Sequence, residues 1–481
     1  MKKYNLFKIL GLSFLGLVLL SWLIPASTYS NGTFAQGPLN PIGLIDLFRL
    51  PINAIGNYYQ YGLFILVLGG FYSIVNATGV YSKFVDMTVK VAKKEKVLFL
   101  VATVSGFALL AAISGVNYVI FVLVPFFLAV LVLAGYNKLS ALAATVGAIL
   151  VGNFASIYGF NVSGYINYFL KVDINALLWA KVILFAVSVA ALVYFIMINE
   201  AIFNLKEKEA KKGKKATKEK VEELNLSLYK KVKANDRKLM PLLVIVGLTM
   251  FILFVSTYNW RYGLNVFFFE EMYQSMLSFK VFGFALFDAL IGNVYPFGYW
   301  GQLEVVVVLL FASALIAWIY SIRFDDAIEK FIDGVKEMVV PAFYVTMSSF
   351  VLAYISGAAG SDMFNTIEYV LLTLTKELNV FTTAIMSLIG SLFYNDFSYF
   401  TSVVAPNITA AYTDAATHPL AGLVLQTFHG LMMLLLPTSL FLVAGLSIMK
   451  VSFVDWIKYV WQYALQLLAL ASFVILLVVL F

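Results

Sequence analysis

Two short polar patches interrupt long apolar stretches of this sequence, and their side chains are of types that bind ions or carboxylates. Residues 114–117 (Ser-Gly-Val-Asn) lie within the apolar stretch 97–134, and residues 395–398 (Asn-Asp-Phe-Ser) lie within 380–412. Ser and Asn supply neutral oxygen and nitrogen ligands. Because polar backbone at membrane depth is tolerated only where protein or water covers it, we interpret both stretches as re-entrant helical hairpins with polar tips. Two ordinary spanning helices joined by a short loop are the alternative.

Two further apolar stretches contain residues that break a helix. The first break covers residues 152–156 and extends to 159–163, and the second covers 436–439 and includes Pro437, which frees a backbone carbonyl group. A free helix N-terminus favours an anionic group and a free carbonyl end favours a cation. The candidate binding residues at the tips and breaks are Ser114, Gly115, Asn117, Tyr118, Asn153, Ser156, Asn161, Asn395, Asp396, Ser398, His429, Pro437, Thr438 and Ser439.

Asp396 is the strongest single candidate, since an ionisable side chain inside a membrane segment is costly and indicates function. Asp396 would bind a proton, a coupling cation or a substrate amine. If residues 380–412 instead form two membrane-spanning helices, Asp396 lies in an exposed external turn. His429 lies in an apolar stretch before Pro437 and is either a proton relay, an orienting donor or a satisfied core histidine. We expect coupling by Na⁺ or H⁺ and no other cofactor. The candidate Na⁺ ligands are Ser114, Asn117, Ser398 and Thr438.

Composition identifies lipid as the main solvent of this chain. Hydrophobic residues make up 62% of the 481 residues and charged residues 12%, which is about half of the usual charged share. The net charge of +7 comes from residues 205–238, where 13 Lys and Arg face 6 Asp and Glu. Such a basic loop reports membrane orientation rather than nucleic-acid binding. With no cysteine and 2 histidines, thiolate chemistry is excluded and a multi-His metal site is not expected.

The positive-inside rule gives a topology with a cytoplasmic N-terminus. Residues 7–24 are expected to be a retained first helix rather than a cleaved signal peptide, and the basic segment 80–96 and the basic loop both fall inside. The C-terminus then lies outside. A re-entrant hairpin and two membrane-spanning helices at residues 97–134 both return the chain to the cytoplasmic side. The charges of the loops therefore do not decide between these two structures.

An internal repeat favours the hairpins. Displacing the sequence by 281 residues aligns Gly79 with Gly360, Tyr118 with Tyr399, Val122 with Val403, Pro125 with Pro406 and Ala129 with Ala410. The order of elements repeats too, including the amphipathic segments 42–56 and 325–339, the second of which is expected in the headgroup plane. The arm 80–96 carries +3 and its equivalent 361–377 carries −2. Because the arms then lie on opposite sides, the halves are predicted to be inverted repeats, a transporter architecture.

The predicted fold class is therefore an all-α polytopic membrane protein with an inverted repeat, two re-entrant hairpins and broken helices. The predicted divisions are 1–203 (first repeat, with a hairpin at about 97–134 and a broken helix at about 139–165), 204–238 (basic cytoplasmic loop), 239–300 (linker helix and interfacial segment) and 301–481 (second repeat, with a hairpin at about 380–412 and a broken helix at about 420–446).

Several motifs resemble the YfcC/DcuC-type carriers of the ion transporter superfamily. Residues 436–439 match a Pro-Thr-Ser break, 454–458 match a Trp-x-Lys start to the last helix, and 331–336 match a Phe-x-x-Gly-x-Lys segment; 68–71 and 135–136 also fit. The resemblance implies a homodimer that works by an elevator-type movement of a transport domain holding both hairpins. It implies dicarboxylates, or arginine exchanged for ornithine, as substrates.

The sequence departs from that family at the places where acidic residues are expected. The first tip lacks the Gly-rich segment followed by acidic residues, the second tip contains Asp396, and Gly-Asp-Gly before the break is replaced by residues 428–430 (Phe-His-Gly). A carboxylate at the tip favours a substrate with an amino group. We therefore expect a bacterial inner-membrane secondary transporter of an amino acid. The alternatives are a carrier of a dicarboxylate or other organic anion coupled to Na⁺ or H⁺, and an intramembrane lipid-modifying enzyme.

Overall fold

The structure is a computed structural model that describes residues 5–213, 228–232, 236–292, 294–351 and 362–480. Of the described residues, 77% are helical. Seven of its described helices are long and apolar enough to cross a membrane, and four shorter apolar helices accompany them. The predicted all-α polytopic fold is confirmed. Part of the predicted basic loop, and Gly360 of the internal repeat, lie outside the described residues, and the orientation of the termini stays a prediction.

The first half begins with a helix and a small β-hairpin and ends with a long helix. Its elements are α1 (Asn5–Ser21), β1 (Thr28–Ser30) paired antiparallel with β2 (Thr33–Ala35), α2 (Asp46–Ala77), α3 (Val80–Lys94), α4 (Lys96–Ser114), α5 (Asn117–Leu133), α6 (Lys138–Phe154, with a π-helical turn at Ala143–Gly147), a second π-helical turn (Phe160–Gly164), α7 (Tyr165–Leu170) and α8 (Leu178–Gly213).

The second half repeats this order after a linker. The linker contains α9 (Met240–Thr257), α10 (Trp260–Leu264), α11 (Phe268–Ser278), β3 (Lys280–Val281) paired with β4 (Phe284–Ala285), and α12 (Leu286–Ile291). The second half then contains α13 (Gln302–Ile319), α14 (Phe324–Ser348), α15 (Met363–Thr373), α16 (Val380–Phe393), α17 (Phe397–Ala411), a 3-10 turn (Ala415–Thr417), α18 (His418–Leu435), α19 (Leu440–Met449) and α20 (Phe453–Leu480).

Helices α2 and α14 form a closely packed antiparallel pair. A Cβ on Gly69 would lie 2.5 Å from the carbonyl oxygen of Gly334, and one on Gly62 would lie 2.5 Å from Oγ1 of Thr346. The expectation of separate amphipathic segments is wrong here, because residues 325–339 continue into the next helical turns as part of α14. Glycines let the two backbones approach, so Met338 packs against α2. The position of this segment in the headgroup plane stays a prediction.

The two helical hairpins open toward opposite ends of the molecule, and α8 shows this directly. Near the end of its apolar span, the buried Glu200 accepts hydrogen bonds from Asn137, at the open end of the first hairpin, α4–α5. Before the start of α8, Leu170 lies beside Gly422 of α18, where an added Cβ would be 3.4 Å from its Cδ1. At the start of α18, Nε2 of His418 lies 2.8 Å from the carbonyl oxygen of Tyr412, at the open end of the second hairpin, α16–α17. Because α8 is one continuous helix, the hairpins enter from opposite ends and their tips point toward the middle.

Candidate functional site

The two hairpin tips and the two helix breaks meet at one small buried cavity. Its volume is about 90 Å³. The first hairpin packs against α6, the second against α18, and α6 packs against α18, so the fold brings four distant chain segments together. The lining residues are Asn117, Tyr118, Leu150, Asn153, Asn161, Val162, Asn395, Asp396, Phe397, Gln426, His429, Gly430, Met433, Ser439, Leu440 and Phe441.

A wider vestibule of about 570 Å³ adjoins this cavity and shares Asn117, Tyr118, Asn161 and Asp396 with it. Ser398 and several residues of the linker also line it. Among the described residues that line either space, Asp396 is the only one with a charged side chain. A solute entering through the vestibule therefore reaches both hairpin tips and meets a single carboxylate.

The first tip is built on a glycine and tied to the first break. Gly115 has φ of +69°, and a Cβ there would lie 2.9 Å from the backbone nitrogen of Asn161, so only glycine fits without strain. The side-chain amide of Asn161 donates to the carbonyl oxygen of Gly115. The backbone amides of residues 157–159 donate to the carbonyl oxygen of Ala112 at 2.8–3.0 Å. This tip and this break therefore form one rigid unit.

The second tip is held by a helix cap and two neighbouring segments. Asp396 caps α17 by accepting a hydrogen bond from the backbone amide of Tyr399 at 2.9 Å, and it also accepts one from the hydroxyl of Ser398. The side chain of Asn395 donates to the carbonyl oxygen of Thr438 at 2.9 Å, which ties the tip to the second break. Asp396 is half-buried and faces the shared cavity.

His429 acts on the second tip through the backbone. Its Nε2 lies 3.1 Å from the carbonyl oxygen of Tyr394, to which a ring N–H donates, and its ring packs against those of Phe397 and Phe400. Because that nitrogen is held by a backbone carbonyl, the geometry favours the orienting role of His429 over a proton relay.

Five of the predicted binding residues do not line the cavity or the vestibule: Ser114, Gly115, Ser156, Pro437 and Thr438. The hydroxyl of Ser114 donates to the carbonyl oxygen of Leu110 at 2.5 Å, within α4. Ser156 is fully buried and its hydroxyl is bonded to that of Ser163 at 3.1 Å. The hydroxyl groups of Ser114 and Ser156 thus bond to local partners, so these two residues shape the first tip and the first break rather than facing the cavity.

Several buried oxygen atoms at this junction make no hydrogen bond within the described part of the chain. They are Oδ1 of Asn117, Oδ1 of Asn153, Oδ1 of Asn395, Oε1 of Gln426 and Oγ1 of Thr438. A buried polar atom without a partner costs about 1–3 kcal/mol. All of these residues except Thr438 also line the cavity, and their free acceptor atoms favour a ligand with positive charge or with hydrogen-bond donors.

Gln426 is a cavity residue that the sequence analysis did not select. Its amide donates to the carbonyl oxygen of Ser156 at 2.9 Å, which links α18 to the first break. The signal that would have found it is helical spacing: Gln426 lies three residues before His429 and therefore on the same face of α18.

Three half-helices begin at the junction. α5 starts at Asn117, α17 starts after its cap Asp396, and α19 starts after its cap Ser439. The first backbone amides of a helix lack intrahelical partners, and the helix dipole places positive partial charge there. The site thus combines anion-attracting helix ends with one carboxylate and several neutral oxygens.

Comparisons with known proteins give one family match. The sequence pattern of the C4-dicarboxylate anaerobic carrier family matches residues 52–480. No curated protein sequence matches the chain. Among solved structures, the YdaH transporter of Alcanivorax borkumensis has 14% sequence identity and a TM-score of 0.38 over 98% of each chain.

Proposed function

The chain belongs to the C4-dicarboxylate anaerobic carrier family, and we propose that the solute it carries across the bacterial inner membrane is a small dicarboxylate. The family makes it a membrane carrier of a small solute. It favours the dicarboxylate alternative over the predicted amino acid, arginine or ornithine. It lends no support to a lipid-modifying enzyme.

The observation that carries this proposal is the convergence of helix N-termini on one cavity. The starts of α5 and α19 face the space lined by Asn117 and Leu440. The helix dipole places positive partial charge at each of these two helix ends, which favours a carboxylate. Two carboxylates of one short solute can then be held by helices from the two halves of the chain, although no basic side chain lies among the described lining residues.

A dianion beside Asp396 requires a cation, and we propose that this cation is Na⁺. The carboxylate of Asp396, the hydroxyl of Ser398 and the unpaired oxygens of Asn117, Asn395 and Thr438 are hard ligands of the kind that alkali cations prefer. Na⁺ bound there would neutralise Asp396 and reduce repulsion of the solute. Of the earlier candidates, Ser114 is left out because its hydroxyl bonds within α4.

We further propose that the chain works as a homodimer with an elevator-type movement. Support comes from the packing, in which α2 contacts both α13 and α14 closely, while each hairpin packs on a broken helix. The first group would be the scaffold and the second the moving part. Native mass spectrometry in detergent measures the oligomeric state. A mass that corresponds to one chain would contradict the homodimer.

An amino acid is a second candidate, because the one charged side chain among the described lining residues is the carboxylate of Asp396, which would pair with an amine. A thermal-shift screen of the purified protein separates the two. Succinate in the presence of Na⁺ is expected to raise the unfolding temperature, since a ligand at about 100 times its Kd stabilises the folded state by about 2.7 kcal/mol.

The matched controls in this screen are butyrate, which has the same chain length and one carboxylate, and choline chloride in place of NaCl. Neither butyrate with NaCl nor succinate with choline chloride is expected to raise the unfolding temperature as succinate with NaCl does. Stabilisation by arginine or ornithine without any by dicarboxylates would contradict the proposed substrate class.

A further inference from the structure

Glu368 is a buried carboxylate at a joint away from the solute cavity. It lies on α15, the arm that precedes the second hairpin, and its side chain has 0% exposure. α15 packs against β1, α16 and α17. Neither the cavity nor the vestibule includes Glu368 among its lining residues.

The hydrogen bonding of Glu368 is incomplete. Its Oε2 accepts one bond from the side-chain amide of Asn407 at 3.2 Å, and its Oε1 makes none within the described part of the chain. The titratable groups that face it are Asp362, Tyr29 of β1 and Tyr394 at the end of α16. α16 itself contains no ionisable residue, and α17 contributes Tyr399. Within the described residues, no basic side chain accompanies them.

A buried carboxylate is expensive because low-dielectric surroundings disfavour its charge, and a single neutral donor such as Asn407 compensates only part of that cost. Binding a proton removes the charge. We propose that Glu368 is a proton-binding site of the carrier, separate from the solute cavity, which takes up and releases one proton in each transport cycle. This assignment rests on the proposed carrier function.

Asn407 makes the site sensitive to movement. It lies on α17, and its amide also contacts the carbonyl oxygen of Tyr29 at 3.2 Å, while its Oδ1 accepts from the backbone amide of Gly32 at 3.3 Å. The arm, the β1–β2 hairpin and the second hairpin are thus joined at one side chain. If the second hairpin moves with the solute, Asn407 leaves Glu368 and water reaches the carboxylate.

Hydrogen bonds connect the arm α15 to the tip of the second hairpin. Tyr394 donates a hydrogen bond to Oδ2 of Asp362, and Oδ1 of Asp362 caps α15 by accepting from the backbone amide of Asn365 at 2.9 Å. Tyr394 immediately precedes Asn395 and Asp396 of the tip. A displacement of the tip therefore acts on the arm that carries Glu368.

The test uses the full-length protein in proteoliposomes loaded with equal Na⁺ on both sides. An inward proton gradient is expected to drive accumulation of labelled succinate by the native protein. Glu368→Gln, which keeps the shape but cannot titrate, is expected to lose at least about nine-tenths of this accumulation and to keep succinate exchange within about twofold, because exchange moves no net proton. The matched control is Glu377→Gln, an exposed carboxylate beyond the same arm, which should leave both unchanged.

Accumulation by Glu368→Gln at the native level would overturn the proposal. If this variant does not fold, Asn407→Ala replaces it. Loss of the donor that Asn407 supplies to the carboxylate should move the pH midpoint of succinate uptake upward, and an unchanged midpoint would overturn the proposal.

A second measurement, the pH dependence of the unfolding temperature, needs no solute. It therefore tests the proton site even if the dicarboxylate assignment fails. Burial raises the pKa of Glu368 well above its ordinary value of 4.5. The folded state then binds a proton that the unfolded state has lost, so stability falls as pH rises from 4.5 toward the folded pKa. The unfolding temperature of the native protein should fall across that window more steeply than that of Glu368→Gln. If the unfolding temperatures of the native protein and of Glu368→Gln fall equally steeply as pH rises, the proposed proton site is overturned.

Discussion

Replacing Asp396 with Asn is expected to weaken Na⁺ binding on the order of 100-fold and to abolish Na⁺-driven uptake of a dicarboxylate. A unit charge about 4 Å from a bound cation contributes up to about 4 kcal/mol at an effective dielectric constant of about 20, and each 1.4 kcal/mol is about tenfold in affinity. Folding should survive, because Asn caps a helix about as well as Asp does. The measurement is the Na⁺ dependence of the unfolding temperature, followed by uptake in proteoliposomes.

Asp414→Asn is the matched control for this substitution. Asp414 also caps a short helical turn, accepting from the backbone amide of Ala416 at 3.0 Å, but it is exposed and is not a lining residue of the cavity or the vestibule. Both variants lose one carboxylate and retain one cap. If Asp396→Asn binds Na⁺ and transports as Asp414→Asn does, the cation site is assigned wrongly.

Replacing Gly430 with Ala is expected to reduce transport by at least about tenfold, with a loss of about 1–3 kcal/mol in stability, the usual cost of overpacking. A Cβ on Gly430 would lie 2.5 Å from Cα of Phe154. Backbone atoms cannot yield as a flexible side chain does, so α18 must move away from α6. That movement separates the two helix breaks and enlarges the cavity between them.

Gly247→Ala provides the control, because nothing lies within 4 Å of the added methyl group. Gly247 is inside α9, where Ala is favoured over Gly by about 1 kcal/mol, so this variant should be as stable as the native protein or slightly more stable. Uptake rates and unfolding temperatures of the two variants decide the matter. Native transport by Gly430→Ala would show that the close contact between α6 and α18 does not shape the site.

Much of this site follows from the sequence, because polar residues inside apolar stretches have few places to go in a membrane protein. Asn117, Asn395 and Asp396 were predicted at hairpin tips, and the structure places all three at one cavity. The breaks at Asn153 and Ser439 also reach it. The sequence pattern thus identifies the polar residues that interrupt the apolar stretches.

The residues that sequence analysis missed act through contacts between distant segments. Gln426 bonds to Ser156, and Glu368 bonds to Asn407. Glu368 was counted only as part of the negative charge of an arm, since its burial arises from β1 and the second hairpin rather than from its neighbours in sequence. The union of residues 325–339 with the following helix was missed for a similar reason, because Gly69 supplies the close contact from α2.

The central claim is that this chain is a carrier of a small dicarboxylate. Counterflow tests it most directly: proteoliposomes containing the purified protein are loaded with unlabelled succinate, and entry of labelled succinate is followed with equal Na⁺ on both sides. We predict transient accumulation that saturates with external succinate and that butyrate does not inhibit. Labelled succinate that never exceeds equilibration, or an ohmic current that does not saturate, would contradict a dicarboxylate carrier.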